Sequence, residues 1–124
     1  LAILDIDYFK KVNDTFGHDV GDNVLIEFVT VIQNHSRKDD LLIRWGGEEF
    51  ILILQLNSKN DFEKILENLR NAIEIHTFPK IEKITCSIGG TIYQNNENIL
   101  NTIKRADEAL YKAKAAGRNR ILIN

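Results

Sequence analysis

The sequence predicts an α/β (α+β) sandwich, a largely antiparallel central sheet flanked by helices. Three observations lead there. Short apolar runs of strand length alternate with longer stretches of helical period. Two of the runs, Leu41-Leu42-Ile43 and Phe50-Ile51-Leu52-Ile53-Leu54, are joined by a short Gly-containing segment, the pattern of a β-hairpin. The resulting order, β-α-α-β-β-α-β-α-β, packs helices on a sheet. At 124 residues the chain is one domain, 1–124, large enough for a real core.

Residues 1–6 read as a buried strand, apolar up to Asp5. Asp7 is placed to cap a short first helix that ends near Gly17. A second helix spans about 21–34, with Val24, Leu25, Phe28, Val31 and Ile32 on one side. The charged run Arg37-Lys38-Asp39-Asp40 leads into the hairpin. Glycines at its tip, Gly46 and Gly47, permit positive φ and let a ligand approach without a Cβ in the way.

Ser58 is a good N-cap for a helix to about His76, with Phe62, Ile65, Leu66, Leu69 and Ile73 facing inward. A strand follows over 84–93, and Gly89-Gly90 inside it signals a bulge or a close backbone approach. The last helix runs over 99–116, closed by Gly117, and a short strand over 120–124 completes the sheet.

Composition excludes several classes. The chain is 44% apolar and 27% charged, ordinary for a soluble globular protein. A net charge of −2 argues against nucleic acid or a membrane surface as a partner, so phosphate binding must be local. Cys86, the single cysteine, excludes an internal disulfide and a thiolate zinc cluster and fits a reducing, cytoplasmic setting. No apolar run approaches the ~20 residues of a membrane span. Leu1-Ala2-Ile3-Leu4 reads as the inside of a strand, so the sequence is expected to be a fragment of a longer protein.

Three groups of residues carry chemistry. Adjacent Glu48 and Glu49 repel each other unless a cation or proton neutralises them, and carboxylates beside bare backbone suit Mg²⁺ and a phosphate chain. Asp5 and Asp7, two apart on a strand, point the same way and can present paired carboxylates to a metal, though Asp7 serves equally as a cap. Between Phe9 and Asp22, glycines alternate with polar groups. There Asn13 and Asp22 can read a guanine edge, whose N1–H and N2–H₂ donors a carboxylate accepts, or can simply make turns. His18 reads alone as a structural hydrogen-bonder. Lys114 and Arg118, four apart across a helix end, can meet one phosphate or complement the helix dipole.

Four segments together resemble one family. They are Asp5-Ile6-Asp7-Tyr8-Phe9-Lys10-Lys11-Val12-Asn13-Asp14, Gly17-His18-x-x-Gly21-Asp22, Arg44-Trp45-Gly46-Gly47-Glu48-Glu49-Phe50 and the run from Ala106 to Asn119. In order and at matching spacings, over nearly the whole chain, they resemble the GGDEF family of diguanylate cyclases, here with a GGEEF signature. Those enzymes condense two GTP into cyclic di-GMP on a nucleotidyl-cyclase, palm-like sheet that carries the signature on a β-hairpin.

The resemblance implies roles residue by residue. Asp5, the carbonyl of Ile6 and Glu48 look like ligands for Mg²⁺, with Mn²⁺ an alternative. Glu48 matches the general base for the ribose 3′-hydroxyl, and Glu49 a supporting catalytic acid. Asn13 and Asp22 match guanine readers, His18 a further substrate contact, and Lys10, Lys114 and Arg118 phosphate binders. Gly46 and Gly47 would let the nucleotide lie across the tip, and Asp7 stays structural.

Arg37 and Asp40, five residues or more ahead of Gly46, stand where the family carries an Arg-x-x-Asp site for inhibition by product. By itself that pair reads as a surface ion pair. Arg70 is a further candidate contact that the sequence does not place. A homodimer is implied for catalysis, because each domain holds one GTP. The family also implies an upstream sensory or receiver domain, which can anchor a full-length protein to a membrane. The first helix and Asp-x-Leu-Thr loop of the family are absent, so the chain resembles an N-terminally truncated catalytic domain.

Two other readings are discriminable. A non-catalytic cyclic di-GMP receptor would use Arg37 and Asp40 for binding alone, although such relatives usually lose signature acids or glycines that this chain keeps. Another nucleotidyl cyclase or polymerase palm would share the metal-carboxylate logic, but Asn13 and Asp22 favour guanine.

Overall fold

Strand β1 (Ala2–Ile6) is the centre of the molecule, and all five of its residues are buried. In the computed structural model, which describes residues 1–81 and 83–124, it is followed by α1 (Phe9–Phe16), α2 (His18–Asn34), β2 (Leu41–Arg44), β3 (Glu49–Ile53), α3 (Asn60–Ile75), β4 (Cys86–Gly90), α4 (Ile99–Ala115) and β5 (Ile121–Ile123). The sheet order is β2-β3-β1-β4-β5. Only β4 and β5 pair in parallel; the other three pairings are antiparallel, as the sequence predicts.

Alternation along β1 divides the core. Ala2, Leu4 and Ile6 join Phe50, Leu52 and Ile88 under α2 and α3, whose Phe28, Ile32, Phe62, Leu66 and Ile73 fill that face. Ile3 and Ile51 turn to the other face and meet Ala106 and Leu110 of α4. Phe28 and Phe50 stack at a tilt, ring centroids 5.4 Å apart. Full burial of each such ring contributes about 1.5–3 kcal/mol. Cys86 is wholly buried, and burial first, then the charge of Asp7, pushes its thiol pKa well up.

Glycines 89 and 90 let helices approach from both sides. A Cβ on Gly89 would overlap the backbone of Ala106 and Leu110 in α4. One on Gly90 would stand 2.8 Å from Leu66 and 3.0 Å from Phe62 of α3. The register Ala2↔Gly90, Ile3↔Gly89, Leu4↔Ile88 is unbroken, so the pair marks close approach and not a bulge.

Several local expectations shift. Asp7 does not cap α1: the N-cap is Tyr8, in the left-handed region at φ 56, and no side chain caps there. Asp7 is drawn away by donors from β4 and from the turn after α4. The second helix starts at His18, three residues early, because Gly17 at φ 90 ends α1 and begins α2 at once. Lys59, not Ser58, is the N-cap of α3, although the Ser58 hydroxyl still accepts from the Asn60 N–H at 3.2 Å. The 84–93 strand contracts to Cys86–Gly90.

The hairpin tip also differs from its sequence reading. Neither Gly46 nor Gly47 has a positive φ. The turn is held by Trp45 and Gly46 N–H groups that both donate to the Glu49 carbonyl, at 2.8 and 3.1 Å. No helix among the described residues is long and apolar enough to cross a membrane.

Replacing Gly89 by alanine forces a Cβ into helix backbone that cannot yield. Gly89→Ala should cost about 3 kcal/mol or more of stability. Gly47→Ala, where nothing lies within 4 Å, should stay within about 0.5 kcal/mol. Urea denaturation of the two variants checks the contrast.

Candidate active site at the carboxyl end of β1

Asp5 and Asp7 follow the same strand parity as Ile3, as the Asp-x-Asp spacing requires. Both are 5% exposed. An unpaired carboxylate at that depth is costly, and the fold answers each one differently. Lys114, from the last turn of α4, places its Nζ 2.6 Å from Asp5 Oδ2. Asp7 takes neutral donors: the Thr85 hydroxyl (2.8 Å) and the Asn119 N–H (3.0 Å) on Oδ2, and the Ser87 hydroxyl (2.7 Å) on Oδ1. Asp7 is thereby structural, as expected.

Across the ladder from Asp5 stands Glu49. Burial first, then the charge of Asp5 and a hydrogen bond to it, raise the Glu49 pKa, and Lys114 offsets part of this. Two carboxylates share one ammonium. That leaves excess negative charge on hard oxygen donors, which fits a divalent cation of the Mg²⁺ type. Glu48 is tied in from the backbone side, where its carbonyl accepts the Ile6 N–H at 3.2 Å. Among the described residues no three His, Cys, Asp or Glu side chains gather in a metal-holding group. The carboxylate that meets Asp5 is that of Glu49, which the sequence ranks second.

On the other side of the tip a cavity of about 450 Å³ opens between α1, α2 and the hairpin. Lys10, Asn13, His18, Asp22, Gly47 and Glu48 line it. Six of the site residues named from the sequence therefore meet in one place. Local structure explains the grouping. Gly17 turns α1 directly into α2, so Asn13 and Asp22 face each other across the corner. At Gly21 a Cβ would overlap the Asn13 side-chain amide, so glycine there makes room for Asn13.

Arg44, whose residue type alone suggests no role in the signature segment, lines the same cavity and braces the tip. Its Nε and Nη2 donate to the carbonyls of Gly46 and Gly47 at 3.2 and 2.8 Å. Gly46 contributes to the tip itself and is not among the lining residues. A cavity of similar size, about 460 Å³, lies near Lys59, Tyr93 and Arg105, toward the start of β1, and carries none of these residues.

Lys114 and Arg118 do not line this cavity. Helix α4 ends in a Schellman motif, with the Arg118 N–H on the Ala113 carbonyl (3.1 Å), the Gly117 N–H on the Lys114 carbonyl (3.3 Å) and Gly117 at φ 122. The two cations are thus no longer one helical turn apart. Lys114 goes to Asp5, while the Arg118 guanidinium lies over the Tyr8 ring, 4.8 Å from its centroid.

Arg37 and Asp40 sit between α2 and β2. They do not form the surface ion pair that their spacing suggests. The Asp40 carboxylate accepts the Arg37 backbone N–H at 2.7 Å, and the Asp40 N–H donates to the Arg37 carbonyl at 3.1 Å. Among the described residues the Arg37 guanidinium has no hydrogen bond or ion pair. Arg70 is committed elsewhere, to Glu67, Glu74 and the Asn119 side chain.

Residues 1–120 match the family described as diguanylate cyclase, GGDEF domain. The chain is 39% identical over 122 residues to the diguanylate cyclase DgcM of Escherichia coli K12, covering 98% of this chain and 30% of that protein. It therefore spans about a third or less of that relative. Among solved structures it resembles the GGDEF domain of DgcB from Caulobacter crescentus in complex with c-di-GMP, at 34% identity and a TM-score of 0.92, covering 98% of this chain and 75% of that one. It also resembles the active GGEEF domain of a diguanylate cyclase from Vibrio cholerae, at 36% identity and a TM-score of 0.89, covering 98% and 80%.

A raised carboxylate pKa makes the folded state bind a proton more tightly than the unfolded one. Between the ordinary value of 4.5 and the raised value, stability contributed by Glu49 therefore falls as pH rises. Above that window the penalty is fully developed. Glu49→Gln should remove this part of the slope and unfold at higher urea than the parent at pH 7 without divalent cations. The two should converge as pH falls well below 4.5, where Glu49 is protonated in both states. Parallel curves at every pH would contradict the Asp5–Glu49 crowding.

Proposed function

The chain belongs to the GGDEF family of diguanylate cyclase domains, and we propose that it condenses two GTP into cyclic di-GMP and two pyrophosphates. The observation that carries this reading is the single cavity lined by Lys10, Asn13, His18, Asp22, Gly47 and Glu48 beside the Asp5–Glu49 pair. Residues 1–124 act as the catalytic domain of a longer protein, under an upstream sensory or receiver domain.

Asn13 and Asp22 bind the guanine edge. Asp22 accepts from N1–H and N2–H₂, which adenine does not offer in that arrangement, and an acceptor left unpaired against the wrong base discriminates by roughly 1–3 kcal/mol. His18 adds a substrate contact, and Gly46 and Gly47 keep the tip bare where the nucleotide crosses it. Lys10, Lys114 and Arg118 hold the triphosphate. Asp5, the Ile6 carbonyl and Glu48 hold Mg²⁺ or Mn²⁺, with Glu49 in support. When bound, the cation supplies charge neutralisation at the phosphates and lowers the pKa of the hydroxyl.

Glu48 takes the proton of the ribose 3′-hydroxyl of one GTP. That oxygen bonds to the α-phosphorus of the other GTP as the bond to the β-phosphate oxygen breaks and pyrophosphate leaves. The same step in the reverse sense closes the ring. One cavity accepts one nucleotide, so two copies must face each other.

Arg37 and Asp40 form the product-inhibition site. The guanidinium without an internal partner supports this, since it is available to a guanine edge or a phosphate.

A version forced to dimerise by a fused coiled coil, given GTP and Mg²⁺, should yield cyclic di-GMP and pyrophosphate by mass analysis. No product together with tight binding of cyclic di-GMP would make the chain a receptor instead. Glu48→Gln should lower synthesis by about 100-fold or more and leave cyclic di-GMP binding intact; persistent synthesis removes Glu48 from the base role. Arg37→Ala should weaken inhibition by added cyclic di-GMP while activity remains. An unchanged inhibition constant would return Arg37 and Asp40 to the surface.

A further inference from the structure

Backbone irregularity gathers where α4 passes into β5. Of the five non-glycine residues with positive φ among the described residues, Tyr8, Arg118 and Asn119 meet there, at φ 56, 63 and 45. Such conformations persist only where their surroundings over-determine them. A turn that served the fold alone would be met more easily by glycine at 118. Arginine stands at that position, with its guanidinium stacked on Tyr8.

The surroundings that hold it can be named. Asp7 grips the Asn119 N–H at 3.0 Å, and is itself fixed by the Thr85 and Ser87 hydroxyls of the β4 side. From the opposite direction Arg70 Nη1 donates to Asn119 Oδ1 at 2.7 Å. Glu67 and Glu74 hold that guanidinium on α3. Asn119 is therefore clamped by its backbone to the end of β1 and by its side chain to α3. Arg118 is the next residue back along the chain.

We propose that Asp7, Asn119 and Arg70 form a clasp that positions Arg118 for the phosphates of the nucleotide. This rests on the reading of Arg118 as a phosphate binder. Asp7 and Arg70 are positioning residues: their polar atoms are engaged with protein, and they act through the turn. An acceptor-only group suits Asp7 because three donors converge on it. An amide in its place still accepts the Asn119 N–H, while the Ser87 hydroxyl turns to accept from the new NH₂.

The test compares two probes by NMR titration in Mg²⁺. One is 3′-deoxy-GTP, which lacks the attacking hydroxyl and cannot condense; the other is 3′-deoxyguanosine, which lacks the phosphates. Arg118→Ala and Asp7→Ala should each weaken 3′-deoxy-GTP by about tenfold or more and leave the nucleoside within about twofold. The double variant should be no weaker than the worse single, because both remove one contact. Asp7→Asn should recover affinity to within about threefold of the parent.

If Asp7→Ala does not fold, Arg70→Gln carries the test. It frees Asn119 from α3 alone and should give a phosphate-selective loss of about threefold. Additive losses, equal losses for nucleotide and nucleoside, or no loss in a folded variant overturn the clasp. If Arg118→Ala itself leaves 3′-deoxy-GTP binding unchanged, the phosphate role of Arg118 fails. A loss in Arg118→Ala without one in Asp7→Ala sinks the clasp alone.

Discussion

Strand β1 is paired on both edges, covered on both faces, and ends in carboxylates that the burial leaves no water to solvate. Buried charge without a partner costs several kcal/mol. Two remote segments must therefore reach the same end of the strand. Helix α4 brings the Lys114 ammonium to Asp5, and the turn after it brings the Asn119 N–H to Asp7. For α4 to lie that low on the sheet, β4 must be bare at Gly89. The glycine, the helix and the cation are parts of one solution to one electrostatic problem.

The same strand end separates the work of the site. On the hairpin side, the α1–α2 corner shapes a cavity of about 450 Å³, with Glu48 in its lining. On the α4 side, Lys114 meets Asp5 and the Arg118 guanidinium lies over Tyr8. Glu48 belongs to both, through its place in the cavity lining and its carbonyl on Ile6. A nucleotide spanning the two would have its base and its phosphates held by different layers of the sandwich.

Much of this was legible in the sequence where the signal is local. Alternation placed Asp5 and Asp7 on one side of β1, helical period found the inward faces of α2 and α3, and Gly89-Gly90 announced a close approach. The misreadings have a common cause. Asp7 looked like a cap because its true donors lie 78, 80 and 112 residues away in sequence. Lys114 and Arg118 looked like one helical pair because the Schellman turn that parts them depends on what Gly117 does in three dimensions. Gly46 and Gly47 permit a positive φ that neither adopts, and Arg44 holds their carbonyls. Arg44 and Asn119 carry no role in the sequence, and Arg70 no place, for the same reason: each acts through a backbone group or an amide, which leaves no pattern of residue types.

Cys86 has a practical meaning. It is the only thiol in the chain, it has no exposed surface, and its pKa is pushed up, so alkylating reagents meet almost no thiolate. The native chain is thus already a near-silent background for site-directed labelling. A single cysteine introduced on an exposed position such as Tyr111, 74% accessible, would carry a nitroxide or a dye without first mutating the core. Distances from such a label then become measurable in a protein whose interior packing has not been altered.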